Sequence, residues 1–219
     1  MGKLIVIDGL DGSGKTTQFE IIREKLSGTH SVKAISFPDY DNPSSALVKM
    51  YLGGDLSKDA DGVNAYAASS FYAVDRYASY KMFWEENYKN GDLVLASRYV
   101  SSNAIHQMVK LDESEWDAYL KWLSDYEYGK LGLPVPNLVI FLDMPVEISQ
   151  KLMSERYGGD ESKKDIHEAN VKYLQACRKS ALYAAEKLGW KIVDCSAEVK
   201  PLTVEEINGK LLQLINEVL

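Results

Sequence analysis

The sequence predicts an α/β fold, a five-stranded parallel sheet flanked by helices. Three observations carry this. Five short apolar runs alternate with stretches of helical periodicity along the 219-residue chain, which is how doubly wound sheets are assembled. The runs are continuously apolar rather than alternating, the pattern of strands buried on both faces. The first run also passes through a glycine-rich turn directly into the first helix.

Taken in order, the first strand is expected over Lys3–Asp8, followed by a helix over Thr16–Leu26 with Phe19, Ile22 and Leu26 on one stripe. Ser31–Ser36 reads as the second strand. A long helix runs from Asn64 to about Tyr88 and stops at Asn90-Gly91. Its apolar stripe is Val63, Ala67, Phe71, Val74, Tyr77 and Met82, at steps of three and four. Asp92–Ser97 is the third strand. Ser114-x-x-Asp117 has the form of a capping box opening a further helix, and Thr203-x-x-Glu206 that of another opening the last. Asn137–Asp143 and Lys191–Asp194 supply strands four and five. No repeat or composition break marks a linker, so residues 1–219 read as a single domain. One segment, at about 155–168, has paired glycines and dense charge of both signs, as phosphate-handling lids do.

Composition excludes several function classes. An apolar fraction of 46% and a charged fraction of 26% suit a globular chain and not a disordered one. No apolar run approaches the ~20 residues of a membrane span, and the N-terminus lacks the apolar core of a signal peptide. A cytoplasmic protein without a membrane partner is expected. With 25 basic and 32 acidic side chains the net charge is −7, so the basic excess that drives binding to polymeric nucleic acid is missing. Cys177 and Cys195 have no metal-site spacing and read as two reduced thiols.

The chemistry is carried first by Gly9-Leu10-Asp11-Gly12-Ser13-Gly14-Lys15-Thr16, which fits G-x-x-x-x-G-K-[ST] at every fixed position and lies between a strand and a helix. Glycine lets backbone N–H groups close around a phosphate, and the helix start adds partial positive charge. Gly9, Gly12, Ser13, Gly14, Lys15, Thr16 and Thr17 are therefore the expected triphosphate site, with Lys15 on the β- and γ-phosphates and the Thr16 hydroxyl on Mg²⁺. The chain lacks an N-K-x-D base reader, and Asp59-Ala60-Asp61-Gly62 follows no strand. A kinase for a small substrate is favoured over a GTPase switch.

From Lys3 to the C-terminus the chain resembles the thymidylate kinases, through several motifs in the family's order. The phosphate loop carries an acid, Asp11, that in this family approaches the acceptor's 3′-hydroxyl. Phe37-Pro38-Asp39-Tyr40 looks like the F-P-x-[YR] turn bordering the acceptor phosphate, and implies Phe37, Pro38 and Tyr40 as contacts. Asp39, where some relatives have arginine, must point away from phosphate or contact something else. Tyr72 and Arg76 sit one helical turn apart, as the family's base-stacking aromatic and its arginine do. Ser97-Arg98-Tyr99-Val100-Ser101-Ser102-Asn103 resembles D-R-Y-x-x-S-N. By that likeness Arg98 holds the monophosphate, with Ser102 nearby, and Asn103 reads the thymine edge, one amide group donating while the other accepts. His106 would lie near the sugar.

Ser97 departs from this pattern, since relatives place a metal-supporting Asp there. Asp8 is the nearest carboxylate to compensate. In the lid, the resemblance implies Arg156, Lys163 and Lys164 as phosphate-neutralising charges, Arg156 being catalytic with Lys15 and Arg98. Asp165 and Glu168 are implied at the acceptor, and Ser196 in the adenine-contacting loop. The family implies a P-loop nucleoside monophosphate kinase-like fold, ATP and Mg²⁺, dTMP as acceptor and a homodimer. Two other readings stay open on the residues alone: a kinase of the same fold for another nucleotide or deoxynucleoside, and a catalytically impaired nucleotide-binding protein.

Overall fold

The five expected strands pair in the order β2-β3-β1-β4-β5, all parallel, in a computed structural model that describes residues 1–57, 62–156, 158, 170–198 and 200–219. They are β1 (Lys3–Gly9), β2 (Val32–Ser36), β3 (Leu93–Ser97), β4 (Leu138–Asp143) and β5 (Lys191–Asp194). Asp59-Ala60-Asp61 and nearly all of the 155–168 lid lie outside the described residues.

Burial on two faces holds for β1, β3 and β4, whose side chains are almost all buried. The edge strands β2 and β5 are largely half-buried or exposed. Leu4, Val6, Val94 and Ala96 point to one face, where they meet Trp84, Tyr99, Met108, Tyr119 and Leu123. Ile5, Ile7, Leu95, Ile140 and Leu142 point to the other. There they meet Phe19, Ile22 and Leu26 of α1 (Lys15–Ser27) and Ile207, Leu211 and Ile215 of α9 (Val204–Asn216). Each such side chain contributes about 1.5–3 kcal/mol by leaving water, so the central strands are anchored and their C-terminal ends are fixed points from which loops can project.

Between these elements lie α2 (Ala46–Leu52), α3 (Ala65–Ser79), α4 (Glu85–Asn90), α5 (Val100–His106), α6 (Trp116–Ser124), α7 (Val146–Arg156) and α8 (Val171–Leu188). The expected long helix is α3 joined to α4 through a π-helical turn at Tyr80–Trp84, and it ends at Gly91, whose φ of 98° only glycine adopts readily. Its buried face is not the apolar stripe. Ala65, Ala68, Ser69, Ala73, Asp75, Arg76 and Ser79 face inward, while Val74, Tyr77 and Met82 are 45%, 39% and 65% exposed. The period was right, but the side turned to the core carries small and charged residues because a site lies there. The capping box before α6 is also displaced: Asp112 and Glu115 form it, not Ser114 and Asp117. That at Thr203 and Glu206 forms as expected.

Candidate active site

The glycine-rich loop leaves the end of β1 at the centre of the sheet. Gly12 and Gly14 have φ of 76° and 82°, values that side-chain-bearing residues rarely adopt. A Cβ on Gly12 would stand 2.9 Å from the Ser149 carbonyl oxygen and 3.0 Å from Met153 Cγ, so α7 closes directly onto the loop. Gly14 starts α1 with no side-chain cap, and no acid occupies the first turn. The open N–H groups therefore remain available to an anion. Lys15 is buried and donates to the Gly9 carbonyl at 3.3 Å, the buried Ser13 hydroxyl has no partner among the described residues, and Thr16 and Thr17 are exposed.

Beside this loop opens a cavity of about 360 Å³ between the ends of β2 and β3 and helices α2, α3, α5 and α8. It is lined by Asp11, Phe37, Pro38, Tyr40, Tyr72, Arg76, Arg98, Ser102, Asn103 and His106. Every acceptor-side residue expected from the sequence is thus in one place, apart from Asp165 and Glu168, which lie outside the described residues. Asp39 turns aside as required: its carboxylate accepts from Asn42 Nδ2 at 2.7 Å. Its backbone N–H donates to Asp75 Oδ2 at 2.9 Å, and Ser44 donates to Asp75 Oδ1 at 2.6 Å. Asp75, buried on α3, therefore ties the Phe37–Tyr40 turn to the helix that carries Tyr72 and Arg76.

Arg98 directly follows β3 with a φ of 66°. Its guanidinium donates to Asp11 Oδ1 at 2.7 Å and to His106 Nε2 at 3.0 Å, and lies 3.8 Å from Asp8 Oδ1. Burial pulls this group down, and the two carboxylates more than offset it. Because arginine only donates, His106 Nε2 accepts and its proton sits on Nδ1, toward the Tyr173 hydroxyl at 3.4 Å. Burial and the Arg98 charge push His106 down to about 4, so the imidazole is neutral at pH 7. Cys177 and Cys195 are free and buried, and burial raises both thiols to about 12.

At the far end, Arg76 donates from Nε and Nη2 to the two oxygens of Glu127 at 2.7 and 2.9 Å, with both residues buried. Burial pulls the guanidinium down, and the Glu127 charge more than compensates. Asn103 Nδ2 donates to Glu127 Oε1 at 2.8 Å and to the Ser69 carbonyl at 3.1 Å. The expectation that the Asn103 amide both donates and accepts is therefore corrected: its two N–H bonds are spent inside the protein, and only Oδ1 is left for a ligand. Tyr72 is raised by burial and stays neutral. Phe71 is half-buried against Tyr51, with ring centroids 6.2 Å apart.

Asp8 is fully buried beside the end of β3, in the register that pairs Ile7 with Ser97. It accepts from the Gly9 N–H at 2.9 Å and from the Ser101 and Ser102 hydroxyls at 2.6 and 2.7 Å. It thus supplies a carboxylate next to the position where Ser97 has none. No group of three or more acidic, Cys or His side chains is placed to hold a metal among the described residues. Magnesium needs no such cage, since it keeps waters and takes one or two carboxylates plus phosphate oxygens. The exposed Thr16 hydroxyl, together with the oxygens of a bound triphosphate, is a hard-oxygen donor set that fits it.

Ser196 pairs with Pro201 in a short antiparallel pair beyond edge strand β5, at the same C-terminal end of the parallel sheet from which the loop leaves β1. Arg156 is the last residue of α7, and Lys163 and Lys164 lie outside the described residues. Sequence reasoning missed Asp75, Glu127 and Tyr173. Asp75 and Glu127 sit among polar and aromatic neighbours with no motif, and only the partners across the fold reveal them.

Sheet order, loop and adjoining pocket are those of the P-loop nucleoside monophosphate kinase-like class. Within it, the chain belongs to the thymidylate kinase family, whose model, described as thymidylate kinase, matches residues 7–207. It is 30% identical over 208 residues to the thymidylate kinase of Mycobacterium tuberculosis, covering 90% of this chain and 93% of that one. It is 26% identical over 219 residues to that of Schizosaccharomyces pombe, covering 99% and 93%. A solved thymidylate kinase from Candida albicans shares the fold with a TM-score of 0.71 at 21% identity, covering 99% of this chain and 92% of that one. Among the described residues, no helix is long and apolar enough to cross a membrane.

Proposed function

We propose that this phosphotransferase converts dTMP to dTDP with ATP and Mg²⁺. The observation that carries the reading is Asp11, which belongs to the triphosphate loop and also lines the acceptor cavity, where it pairs with Arg98. Donor and acceptor phosphates would therefore meet across one residue. A cation at that junction favours a monophosphate acceptor over a free nucleoside.

The phosphate loop binds the triphosphate through Gly9, Gly12, Ser13, Gly14, Lys15, Thr16 and Thr17, with Ser196 toward adenine. Arg98 and Ser102 hold the acceptor phosphate, Phe37, Pro38 and Tyr40 border it, and Asp11 and His106 face the sugar. Tyr72 stacks on the base while Arg76 and Asn103 read its edge. One acceptor oxygen forms the new bond to the γ-phosphorus as the bond to the bridging oxygen breaks and ADP leaves. That oxygen is already largely anionic at neutral pH, the second phosphate pKa being about 6, so the chain needs no general base. Its contribution is positioning and neutralisation of charge by Lys15, Arg98 and the lid residues Arg156, Lys163 and Lys164. Asp165 and Glu168 complete the acceptor side. When bound, Mg²⁺ at Thr16 would draw charge from the phosphates.

The outward apolar residues Val74 and Tyr77 of α3, with Leu47 and Met50 also exposed on α2, support a homodimer. A cytoplasmic setting suits two buried, unpaired thiols. A coupled ADP-release assay over a panel of monophosphates and nucleosides tests the reading. Turnover is expected with dTMP, and its absence with dTMP while another acceptor reacts would overturn it.

A further inference from the structure

Glu127 is not among the residues lining the cavity, yet it holds both groups assigned to the edge of the base. It lies in a π-helical turn, Asp125–Lys130, a distortion that often marks functional sites. Its side chain is fully buried and accepts three hydrogen bonds, two from Arg76 and one from Asn103. A carboxylate only accepts, and so does the Ser69 carbonyl. The Asn103 amide therefore has one allowed orientation, with Oδ1 as its free group. The Arg76 fork is equally fixed, and Nη1 remains as its unspent face. The cavity thus presents one acceptor beside one donor.

We propose that Glu127 is a positioning residue that selects which pyrimidine edge the cavity takes. A ring bearing N3–H and a 4-oxo group meets this pattern, donating to Asn103 Oδ1 and accepting from Arg76. A 4-amino pyrimidine opposes it at both points, placing a bare N3 against Oδ1 and an amino group against a guanidinium. Selection arises because mismatched buried groups are left unpaired. The inference rests on the acceptor reading given above and adds to it the residue that enforces it.

The test compares dTMP with 5-methyl-dCMP, which has the same shape and the opposite hydrogen-bond pattern, in the full chain and two variants. Glu127→Gln keeps the volume but puts an NH2 where Oε2 accepted from Arg76 Nε, so the Arg76 fork loses one of its two anchors and the charge that held it. Glu127→Asp keeps the charge but shortens its reach toward both Arg76 and Asn103 by one methylene. The wild-type preference for dTMP in kcat/KM is expected to be about 100-fold or more, falling roughly tenfold in each variant, with the change in KM for the monophosphate and KM for ATP unaltered. A merely structural role would lower melting temperature and leave the preference intact, and that result in a folded variant overturns the proposal. Should neither variant fold, equal binding of 5-methyl-dCMP and dTMP by the wild-type protein overturns it as well. Failure of the wild-type chain to phosphorylate dTMP at all would instead strike the functional reading beneath it.

Discussion

Arg98 Nη2 stands 2.7 Å from Asp11 Oδ1, so a side chain leaving strand β3 closes on a residue inside the phosphate loop. The pair neutralises the cation in the cavity. If Arg98 holds the acceptor phosphate as proposed, that dianion competes with the single charge of Asp11 for it. Asp8, 3.8 Å away and fully buried, stays in place throughout because three hydrogen bonds hold it.

Replacing that cation is the most direct test of the site. Arg98→Ala should cut turnover roughly 100- to 1,000-fold, while binding of a non-hydrolysable ATP analogue changes little, because the loop is built from β1 and α1. A coupled assay with parallel ATP-analogue titration checks both arms. Near-normal turnover would remove Arg98 from the mechanism.

Asp75 is expected to act only through the turn it pins. Loss of its two bonds in Asp75→Ala frees the Phe37–Tyr40 segment, so KM for dTMP should rise about tenfold, from roughly 1–1.5 kcal/mol of lost orientation. The KM for ATP should stay constant. Steady-state kinetics with each substrate varied separately distinguishes this from a general loss of structure.

His106 makes stability depend on pH with a definite sign. Its folded value, near 4, lies below its ordinary 6.5. Between those values the unfolded chain binds a proton that the folded chain does not, so stability falls as pH drops from 6.5 toward 4. The melting temperature of the wild type should therefore decline more steeply over that window than that of His106→Gln, in which Gln can still accept from Arg98. Parallel slopes in the two proteins would contradict the assignment.

Gly12 faces two obstacles to a side chain, a φ of 76° and the Ser149 carbonyl 2.9 Å from any Cβ. Gly12→Ala should cost about 1–3 kcal/mol, lowering the melting temperature by several degrees for a chain of this size. It should also raise KM for ATP, since relief requires α7 to shift off the loop. Calorimetry and ATP-dependence curves would register the two effects together.

If the outer face of α3 meets a second copy, charge placed there should separate the two. Tyr77→Glu combined with Met82→Glu is expected to convert a dimer to a monomer in sedimentation velocity. A wild-type monomer at micromolar concentration would refute the homodimer.

Much of this was legible in the chain itself. Strand positions came through to within a residue or two because β1, β3 and β4 are continuously apolar, and the loop at Gly9–Thr16 is a local motif whose spacing alone fixes its shape. Helix α3 shows where local patterning stops helping: periodicity locates a stripe but does not say whether the chain's own core or another surface covers it. Asn103 does line the cavity, but its spacing could not show that its donors are consumed by Glu127 and Ser69, 24 and 34 residues away in sequence. Charge partners that meet only through the fold leave no trace in spacing.

Helix α3 carries Tyr72 and Arg76 on one side and Val74 and Tyr77 on the other, within a single turn and a half. A helix moves as one hydrogen-bonded rod, so if Tyr72 and Arg76 hold the base and a second copy covers Val74 and Tyr77, as proposed, both contacts would act on the same rod. Assembly and base reading would then share one lever, and diluting the protein would alter how well it discriminates as well as how fast it works.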